Sequence, residues 1–478
     1  MCWHLLLLTV GISPLSKHRL LPTRKCPCVS IVRRSRQLGH PELSDHSEVR
    51  MSQSNAERSA GERDKSFGIE GERTLSILPG DILETRLIKG VLVLQDNRIL
   101  LGMTLETAVG FGQYGLAMLT SAGDLDQSFN EGNPLISSFK GTDPCAGGRL
   151  LRLADGRLLM LGAHIQYSGV DPIAHLAIAC YSSDYKPDPT FGPEGNGHLV
   201  IENQPNEICI TDDSKIAEQA DGKLLISTTC HAVGDWSKTT GVLYRLLQDG
   251  RLDKSFNITG RLDFKVQDST APTSLCAVLP QDDGKIVVAG HGSLLDTPET
   301  ALIARLHDNG ALDTRFGNLI TPGYCGFGVT DHTTRFNVLL PTSQGFLGLG
   351  QAGPPGAAET QGMRCYITKN GLPDLNINGG KPLLTKYEKD RDGSWQDGYV
   401  LPDGTQLTVA ARHYYYLARW LPDGTPDSSF GNAGYVTEDT SNAADPVVVV
   451  PRTDNTFLCT GNPTGVAGGL GKLFAYYS

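Results

Sequence analysis

One short phrase, Asp-x-Ser-Phe or a close variant, recurs seven times along this chain of 478 residues. It is clear in GERDKSFG, GDLDQSFN, GRLDKSFN, GALDTRFG and GTPDSSFG, and weaker in PDPTFG and PDLNINGG. Its aspartates, called the marker aspartates below, are spaced by 53 to 65 residues, so the period is close to 60. They are Asp64, Asp126, Asp188, Asp253, Asp313, Asp374 and Asp427. A repeat of this length predicts a fold built from seven copies of one small unit.

A second pattern lies between successive markers: an apolar stretch, a turn of the Asp-Gly type and another apolar stretch. LLRLADGRLLMLGAH and AVLPQDDGKIVVAGH are examples. Because Asp-Gly accepts the left-handed backbone of a tight hairpin, each copy predicts a pair of antiparallel strands. The turns begin at Asp96, Asp155, Asp221, Asp283, Gln344, Asp403 and Asp454. A third apolar strand follows each hairpin, and a fourth, such as GHLVI, follows the marker turn. Four strands per repeat and no helical period predict an all-β seven-bladed β-propeller.

The two ends of the repeat array fit together. The chain ends on LFAYYS, a third strand with no marker turn or fourth strand after it. The array begins with exactly those missing parts, a marker turn at Asp64 followed by RTLSIL. We therefore expect the N-terminal strand to complete the last blade, so that residues 61–478 form a closed ring without a free sheet edge.

The N-terminal segment differs from the repeats in composition. Residues 1–50 hold 8 Lys/Arg and 3 Asp/Glu, whereas the whole chain has a net charge of −10. The apolar run in MCWHLLLLTV has no basic residue before it and no small-residue cleavage pattern soon after it, which makes a poor signal peptide. A mitochondrial-type presequence is an alternative. We interpret residues 1–60 as a disordered or mis-called extension, with Met51 as the true start, which favours a cytoplasmic protein.

Charge and cysteine content exclude several classes of protein. A net charge of −10 argues against nucleic acid as a partner, and no apolar run reaches the roughly 20 residues of a transmembrane segment. The eight cysteines outside the N-terminal segment are scattered singly, with no C-x-x-C pair. We expect them to be small buried residues in a reducing compartment rather than a disulfide framework. We also expect a monomer.

The repeated phrase resembles the delta-60 repeat, a bacterial family marked by DGxLDxSFGxxG at about this period. The resemblance covers residues 61–478 and rests on seven copies in register. It implies a β-propeller and no particular chemistry, because that family is largely uncharacterised.

Two sets of repeated residues are interpreted as structural. The marker aspartates and the serines two residues later can bond the backbone of their own turn, and the phenylalanines can wedge between blades. Arginines eight residues before a marker predict a repeated contact with an adjacent turn. The phenylalanines are Phe67, Phe129, Phe191, Phe256, Phe316 and Phe430, and the arginines are Arg245, Arg305 and Arg419.

Histidines and acids mark the opposite face of the predicted ring. A histidine follows the second strand in four blades, and acids lie in the segments that lead into each first strand. Together they could bind a divalent cation such as calcium or a cationic ligand, or act in acid–base chemistry; a hydrated polar rim is the alternative. The predicted ligand-binding face comprises His164, His231, His291 and His413 with Asp143, Asp212, Asp268 and Asp331. Gln351 and Asn462 take the histidine's place in two other blades, and further acids are Glu84, Asp213, Asp390, Asp397, Asp439 and Asp445.

Two functional hypotheses remain open on the sequence. The first is a non-catalytic binding or scaffold protein whose partner is a protein or a saccharide, because a propeller presents many loops on a rigid ring. The alternative is a propeller enzyme, a hydrolase or lyase, that uses carboxylates, histidines and a divalent metal at the axial funnel. Acids clustered at the axis would favour the enzyme. An exposed aromatic patch at Trp236, Trp395 or Tyr414 would favour binding.

Overall fold

A computed structural model describes residues 59–75, 83–107, 112–167, 172–266, 271–293, 298–356, 359–386, 393–411, 415–438, 448–462 and 470–478. These residues belong to one compact unit, Arg58–Ser478. The interpretation of residues 1–60 therefore lies almost wholly outside the described residues and stays a prediction. No helix in the described ranges has the length and apolar character needed to cross a membrane.

The strands form seven antiparallel four-stranded sheets, which confirms the predicted seven-bladed propeller. Blade 1 contains β2 (Leu83–Val93), β3 (Ile99–Thr107), β4 (Gly112–Leu119) and β5 (Leu135–Ser137). Blade 2 contains β6 (Cys145–Arg152), β7 (Leu158–Tyr167), β8 (Pro172–Tyr181) and β9 (His198–Ile201). Blade 3 contains β10 (Glu207–Glu218), β11 (Leu224–Ala232), β12 (Asp235–Leu246) and β13 (Arg261–Phe264). Blade 4 contains β14 (Thr273–Pro280), β15 (Ile286–Gly292), β16 (Thr300–Leu306) and β17 (Tyr324–Phe327). Blade 5 contains β18 (Thr333–Pro341), β19 (Gly345–Gly353), β20 (Gln361–Thr368) and β21 (Leu383–Thr385). Blade 6 contains β22 (Trp395–Val400), β23 (Gln406–Ala411), β24 (Tyr415–Trp420) and β25 (Tyr435–Glu438). Blade 7 contains β26 (Val449–Pro451), β27 (Thr456–Gly461), β28 (Lys472–Tyr477) and, from the start of the chain, β1 (Glu72–Thr74). Two short 3₁₀ turns, Asn130–Gly132 and Asn378–Gly380, complete the described elements.

The ring closes through its first and last strands, as the sequence predicts. β1 pairs antiparallel with β28, so that Glu72 faces Phe474. The backbone N–H of Gly61 also donates to the carbonyl of Tyr477 over 2.8 Å. The first strand of each blade contacts the first strand of the next, and β2 contacts both β26 and β27. The seven first strands are therefore the innermost, and they surround the axis of the ring.

The marker turns are structural. The Oδ1 atom of Asp253 accepts from the backbone N–H and the hydroxyl of Ser255 over 3.0 and 2.7 Å, and four other marker aspartates do the same with their own Ser or Thr. This turn bonding confirms the local role predicted for the phrase. The arginines complete the turn, because Arg245 donates through Nε to Oδ2 of Asp253 over 2.8 Å. Arg245 also reaches the next blade, where it pairs with Asp308 over 2.6 Å.

The marker phenylalanines lie between blades. Five are buried to 0–1% exposure and Phe129 to 7%. The ring of Phe67 contacts Gly123 in the marker turn of blade 1, where a Cβ would lie 2.9 Å from the ring. Because Gly123 also has a φ of +89°, both the backbone and the neighbouring ring require glycine there. The same contact with the marker phenylalanine of the preceding blade recurs at Gly250, Gly310 and Gly371, so the wedge explains the glycine that begins these marker phrases.

Strand order separates two faces of the ring. The hairpin turns and the marker turns lie together on one face, here the turn face, because both follow strands that run in the same direction. The loops between second and third strands lie on the other, the funnel face. On the turn face Arg157, in a hairpin turn, pairs with the marker Asp188 over 3.2 Å.

Candidate functional site

Six of the seven innermost strands are interrupted by a β-bulge part-way along their length. The register shifts lie around Lys89 in β2, Gly147–Gly148 in β6, Thr211–Ser214 in β10, Cys276 in β14, Asn337 in β18 and Gln396 in β22. A bulge adds one unpaired residue and re-aims the side chains beside it. Bulges at matching positions around the ring therefore collect the side chains of different blades at one level of the axis.

The side chains collected there are mostly charged. The Nζ atom of Lys89 in blade 1 lies 2.5 Å from Oδ1 of Asp212 in blade 3. Arg149 in blade 2 interacts electrostatically with both Asp212 and Lys215. The axial cluster, as it is called below, consists of Lys89, Arg149, Asp212, Asp213, Lys215, Cys276 and Asp397. It brings five blades into electrostatic contact at the centre of the ring.

Part of the axial cluster is exposed to solvent, and the cavity beside it is small. The side chain of Asp212 is 71% exposed although protein surrounds it, as expected in the lumen of a channel. The cavity bounded by Lys89, Arg149 and Asp212 has a volume of about 10 Å³, which is room for roughly one water molecule. The space beside these three residues therefore admits a water molecule or one small polar group of a ligand.

Confinement shifts the protonation of these groups. Burial and the nearby Arg149 together lower the pKa of Lys215 to about 8, while Asp397 and Asp213 act in the opposite direction. Burial raises the pKa of Asp397, partly offset by Arg149 and Lys215. The ion pair with Lys89 lowers the pKa of Asp212. The channel thus holds an acid and a base whose pKa values are shifted toward each other.

Two cations of the axial cluster have no counter-ion in contact. Within the described residues neither Arg149 nor Lys215 forms an ion pair within 4.0 Å, and Nε of Arg149 is buried without a hydrogen-bond partner. Buried polar groups are nearly always satisfied in native proteins, so an exception calls for a ligand, an ion or water.

Hydrogen bonds between blades hold the bulges in position. Thr104 on β3 donates to the carbonyl of Gly147, and Thr229 on β11 both accepts from and donates to the backbone of Leu275. Asn337 donates to the carbonyl of Trp395 over 2.9 Å. Asn462 bonds both backbone groups of Ile88, over 2.8 and 3.1 Å. Asp397 itself accepts from the backbone of the next blade at Val449 over 2.9 Å. The axial cluster is therefore built on a rigid frame.

The predicted histidines end second strands on the funnel face, each with partners of its own. His164 is buried, with Nε2 3.7 Å from Oδ2 of Asp143, and its ring stacks on His175 at 6.0 Å. Burial lowers the pKa of both His164 and His175. His164 and Asp143 thus lie close together, inside one blade.

His291 belongs to a chain that joins two blades. Its Nε2 lies 3.1 Å from Oε1 of Glu299, whose other oxygen lies 2.6 Å from Nη2 of Arg335 in blade 5. These two partners hold the pKa of Glu299 at about 2 against the opposing effect of burial. His231 is buried, with Nδ1 2.9 Å from the carbonyl of Ala232. The three predicted histidines that the structure describes, His164, His231 and His291, therefore contact different partners in three blades.

The remaining predicted residues have different fates. Asp212, Asp213 and Asp397 lie within first strands, rather than in the segments before them, and meet at the axial cluster. Asp331 is exposed in the left-handed backbone region, with φ of +61°. His413 and Asp268 lie outside the described residues. Sequence reasoning missed Lys89, Arg149 and Lys215, the three cations of the axial cluster.

Two expectations need correction. Cys209 and Cys230 form a disulfide across β10 and β11, although the spacing of the cysteines suggested none. They lie 21 residues apart and become opposite partners only through the register of the hairpin. The other six described cysteines are buried and free, as expected. Trp395 is fully buried against Trp420, at 5.8 Å between ring centroids, so it forms no exposed patch.

The predicted divalent-metal site has no matching group at the axis. Among the described residues, three potential ligands come within reach of one ion only at Glu207, Cys209 and Cys230. The two sulfur atoms are joined to each other there, so neither is a thiolate.

Comparison with known proteins agrees with the fold. Residues 281–316 match a domain of unknown function (DUF5122) described as a β-propeller. This segment runs from the hairpin turn of blade 4 to its marker phenylalanine, Phe316. A search of curated proteins found no match.

Several solved structures are similar in architecture. A polysaccharide lyase of family PL25, an ulvan lyase, is 10% identical over 85% of this chain and 96% of its own, with a TM-score of 0.46. Drosophila Plexin A in complex with Semaphorin 1b is 9% identical over 85% and 87%, with a TM-score of 0.41. The Hadza microbial sialidase Hz136 is 11% identical over 79% and 73%, with a TM-score of 0.40. Likeness at this level carries no argument about function.

Proposed function

We propose that the protein is a non-catalytic binding propeller that recognises an acidic saccharide at the axial cluster. The observation that carries the proposal is a pair of neighbouring cations, Arg149 and Lys215, neither of which forms an ion pair within 4.0 Å in the described residues. Two cations held close together in a confined space cost free energy, and an anionic group between them removes that cost. A carboxylate or sulfate on the ligand supplies such a group.

The other members of the axial cluster favour a ligand that also bears hydroxyl groups. Asp397, with its raised pKa, can donate a hydrogen bond when protonated, and Asp212 and Asp213 can accept. Hydroxyl groups both donate and accept, so they match this mixture. The cavity beside Lys89, Arg149 and Asp212, of about 10 Å³, has room for a small polar group and none for a sugar ring, so the ring stays outside this cavity.

The same proposal assigns the chain to the delta-60 repeat propellers. Its support is the marker phrase, which recurs in register seven times. The loops between second and third strands support a binding role, because they vary from almost nothing in ARHYYYLARW to the long QAGPPGAAETQGM. Variable loops on a constant scaffold are where specificity is usually built.

Calorimetry with trigalacturonate and with neutral maltotriose tests the proposal. We expect only the acidic trisaccharide to bind, and Arg149→Gln or Lys215→Gln to weaken its binding by roughly tenfold each, as expected for a lost charge-assisted hydrogen bond. Lys186→Gln is the matched control, because Lys186 is exposed on the turn face and, among the described residues, pairs only with Asp184. Equal binding of the two trisaccharides would contradict the proposal.

Proton uptake gives a sharper measurement. An anion beside Lys215 raises the pKa of this lysine from about 8, so binding at pH 8 should take up a fraction of a proton. Titrations in two buffers of different ionisation enthalpy measure that uptake. It should vanish in Lys215→Gln, and its absence from the unmodified protein would place the anion elsewhere.

A second candidate function is supported by the same pKa shifts. Lys215 with a pKa of about 8 and Asp397 with a raised pKa could act as base and acid near neutral pH. In a lyase reaction the neutral amine would take the proton next to the sugar carboxylate while Arg149 stabilises the developing charge. The leaving oxygen would then receive a proton from Asp397. Ultraviolet absorbance of the unsaturated product distinguishes this lyase from a binding protein.

A further inference from the structure

Six of the seven marker aspartates hold a cation of their own chain on the turn face. The cation comes either from the third strand, eight residues before the marker, or from the hairpin turn. The ion pairs are Asp64–Arg452 at 3.8 Å, Asp126–Arg98 at 3.2 Å, Asp188–Arg157 at 3.2 Å, Asp253–Arg245 at 2.8 Å, Asp313–Arg305 at 2.9 Å and Asp427–Arg419 at 2.8 Å. Where the third strand supplies the arginine, its guanidinium also lies over the marker phenylalanine, 4.6 to 5.1 Å from the ring centroid.

Blade 5 keeps the marker aspartate, Asp374, but lacks the cation and the phenylalanine that accompany it in the other blades. Tyr366 occupies the position of the third-strand arginine, and Phe346 occupies that of the hairpin cation. Ile377 replaces the marker phenylalanine. Asp374 still closes its turn by accepting from Asn376 through Oδ1. Within the described residues, Asp374 is the one marker aspartate without an ion pair, and no hydrogen bond reaches its Oδ2.

The missing side chains leave a cleft between blades 5 and 6. It has a volume of about 310 Å³, within the range of small-ligand sites. Asp374 lies on its wall together with Tyr366, Ile377 and the two prolines Pro402 and Pro422. Flat apolar walls around one unpaired carboxylate are the complement of a planar cation.

The other charged groups near the cleft either already have partners, as Arg364 does, or attract a cation, as Asp423 does. Arg364 is buried, with its guanidinium 3.4 Å from the ring centroid of Trp420, and it donates to the carbonyl of Gly424 and to the hydroxyl of Tyr366. Asp423 acts electrostatically on Tyr366 and adds negative charge. Tyr366 in turn donates to Oε1 of Gln406 over 2.6 Å.

We propose that this cleft binds an arginine side chain of a partner polypeptide, in the place that the chain's own arginine takes in other blades. Arginine fits better than lysine because its guanidinium is planar and can stack while it bonds Oδ2 of Asp374. Exposed leucines beside the cleft favour a polypeptide over free arginine. Leu375, next to Asp374, is 75% exposed, and Leu421, next to Pro422, is 38% exposed. This site lies on the turn face and is independent of the axial cluster.

Calorimetry on the full chain tests the proposal with three probes: acetyl-Leu-Arg-Leu-amide, the same peptide with citrulline, and acetyl-arginine amide. Citrulline keeps the shape of arginine and removes its charge. We expect the arginine peptide to bind at least tenfold more tightly than the citrulline peptide. We also expect it to bind more tightly than acetyl-arginine amide. Equal binding of the two peptides would overturn the role of the cation, and equal binding of acetyl-arginine amide would overturn the polypeptide partner.

Variants locate the site. Asp374→Asn should reduce binding of the arginine peptide at least tenfold, whereas Asp427→Asn should not change it, because Arg419 already fills the equivalent place in blade 6. The double variant Tyr366→Arg with Ile377→Phe restores the repeat and should abolish binding by filling the cleft. Binding that persists in Asp374→Asn would overturn the proposal, whether or not the double variant folds.

Discussion

The turn face and the axial cluster differ in how their charged side chains are paired. On the turn face one arrangement recurs from blade to blade, and all but one of the marker aspartates is paired with a cation of the chain. At the axis each blade contributes a different residue, and Arg149 and Lys215 stay without an ion pair in the described structure. A contact that is repeated in every blade contributes stability to each of them. Charges that occur once and are left unsatisfied indicate where a ligand binds.

The largest effect should come from breaking the ring at its closure. Removing residues 61–75 takes away β1, the buried Phe67 and Asp64, one of the two carboxylates that pair with Arg452. β28 then becomes a free sheet edge, so we expect aggregation or loss of cooperative unfolding, measured by light scattering and thermal denaturation. As the control, a circular permutant that joins Ser478 to Ser59 and opens in another marker turn should fold. Cooperative unfolding of the truncated chain would show that closure contributes little.

The next largest effect should follow from breaking one marker turn. Arg245 is fully buried and contacts Asp253, Asp308 and the ring of Phe256. Arg245→Met leaves the buried Asp253 without its main partner, and we expect a loss of about 3–5 kcal/mol in the free energy of unfolding. Arg419 takes the equivalent position in blade 6, where it is 12% exposed. Arg419→Met should therefore lower the free energy of unfolding by less. Denaturant unfolding of both variants checks the order, and an equal loss would contradict the role of burial.

Repeated features were predictable from sequence, and features that depend on register were not. The marker spacing was enough for the blade number, the strand order and the ring closure, because each copy confirms the others. The acids at the axis were found, but as a rim rather than a cluster. A signal for the missed cations exists: Arg149, Lys215 and Asp397 each lie six residues before their hairpin turn. This common position on the innermost strand holds an apolar residue in blades 4 and 5, Ala277 and Val338.

The disulfide shows why the rest could not be predicted. Cys209 and Cys230 become neighbours only because β10 is bulged between Ile210 and Lys215, which lies between the hairpin turn and this pair of cysteines. A bulge shifts every later residue by at least one place, and no residue pattern fixed its position in advance. The same limit applies to the described histidines His164, His231 and His291, which lie eight to ten residues after their hairpin turns and contact different partners within their own blades.

Reduction of the disulfide should have a moderate effect that reaches the axial cluster. The bond closes a short loop within blade 3, and we expect Cys209→Ser with Cys230→Ser to lower the free energy of unfolding by about 2–3 kcal/mol. Because it clamps the start of β10, it should also weaken binding of trigalacturonate while leaving the arginine peptide unaffected. Addition of a reductant to the unmodified protein should reproduce both results. A similar reductant response in the double serine variant would mean that another cause is at work.

The smallest effect should be a pH-dependent rise in melting temperature when the charge of Lys215 is removed. Its pKa falls from 10.5 in the unfolded chain to about 8 in the folded one, mainly through burial. Between these values the unfolded chain binds more protons, so the lysine's contribution to stability rises with pH. Below pH 8 both states are protonated, and the folded state carries the full cost of the buried charge. Lys215→Gln should therefore raise the melting temperature at pH 7 by about 1–2 °C, and this gain should fade as pH rises from 8 to 10.5.

The control for this measurement is a lysine that has a partner. Lys186→Gln removes an exposed cation on the turn face that pairs with Asp184, and the difference in melting temperature should stay near zero at every pH below 10. A lower melting temperature for Lys215→Gln at pH 7 would mean that Lys215 is stabilised by a counter-ion in the free protein. Arg149 and Lys215 would then no longer form an unsatisfied pair, and the contrast between the axis and the turn face would fail at the point where the ligand is proposed to bind.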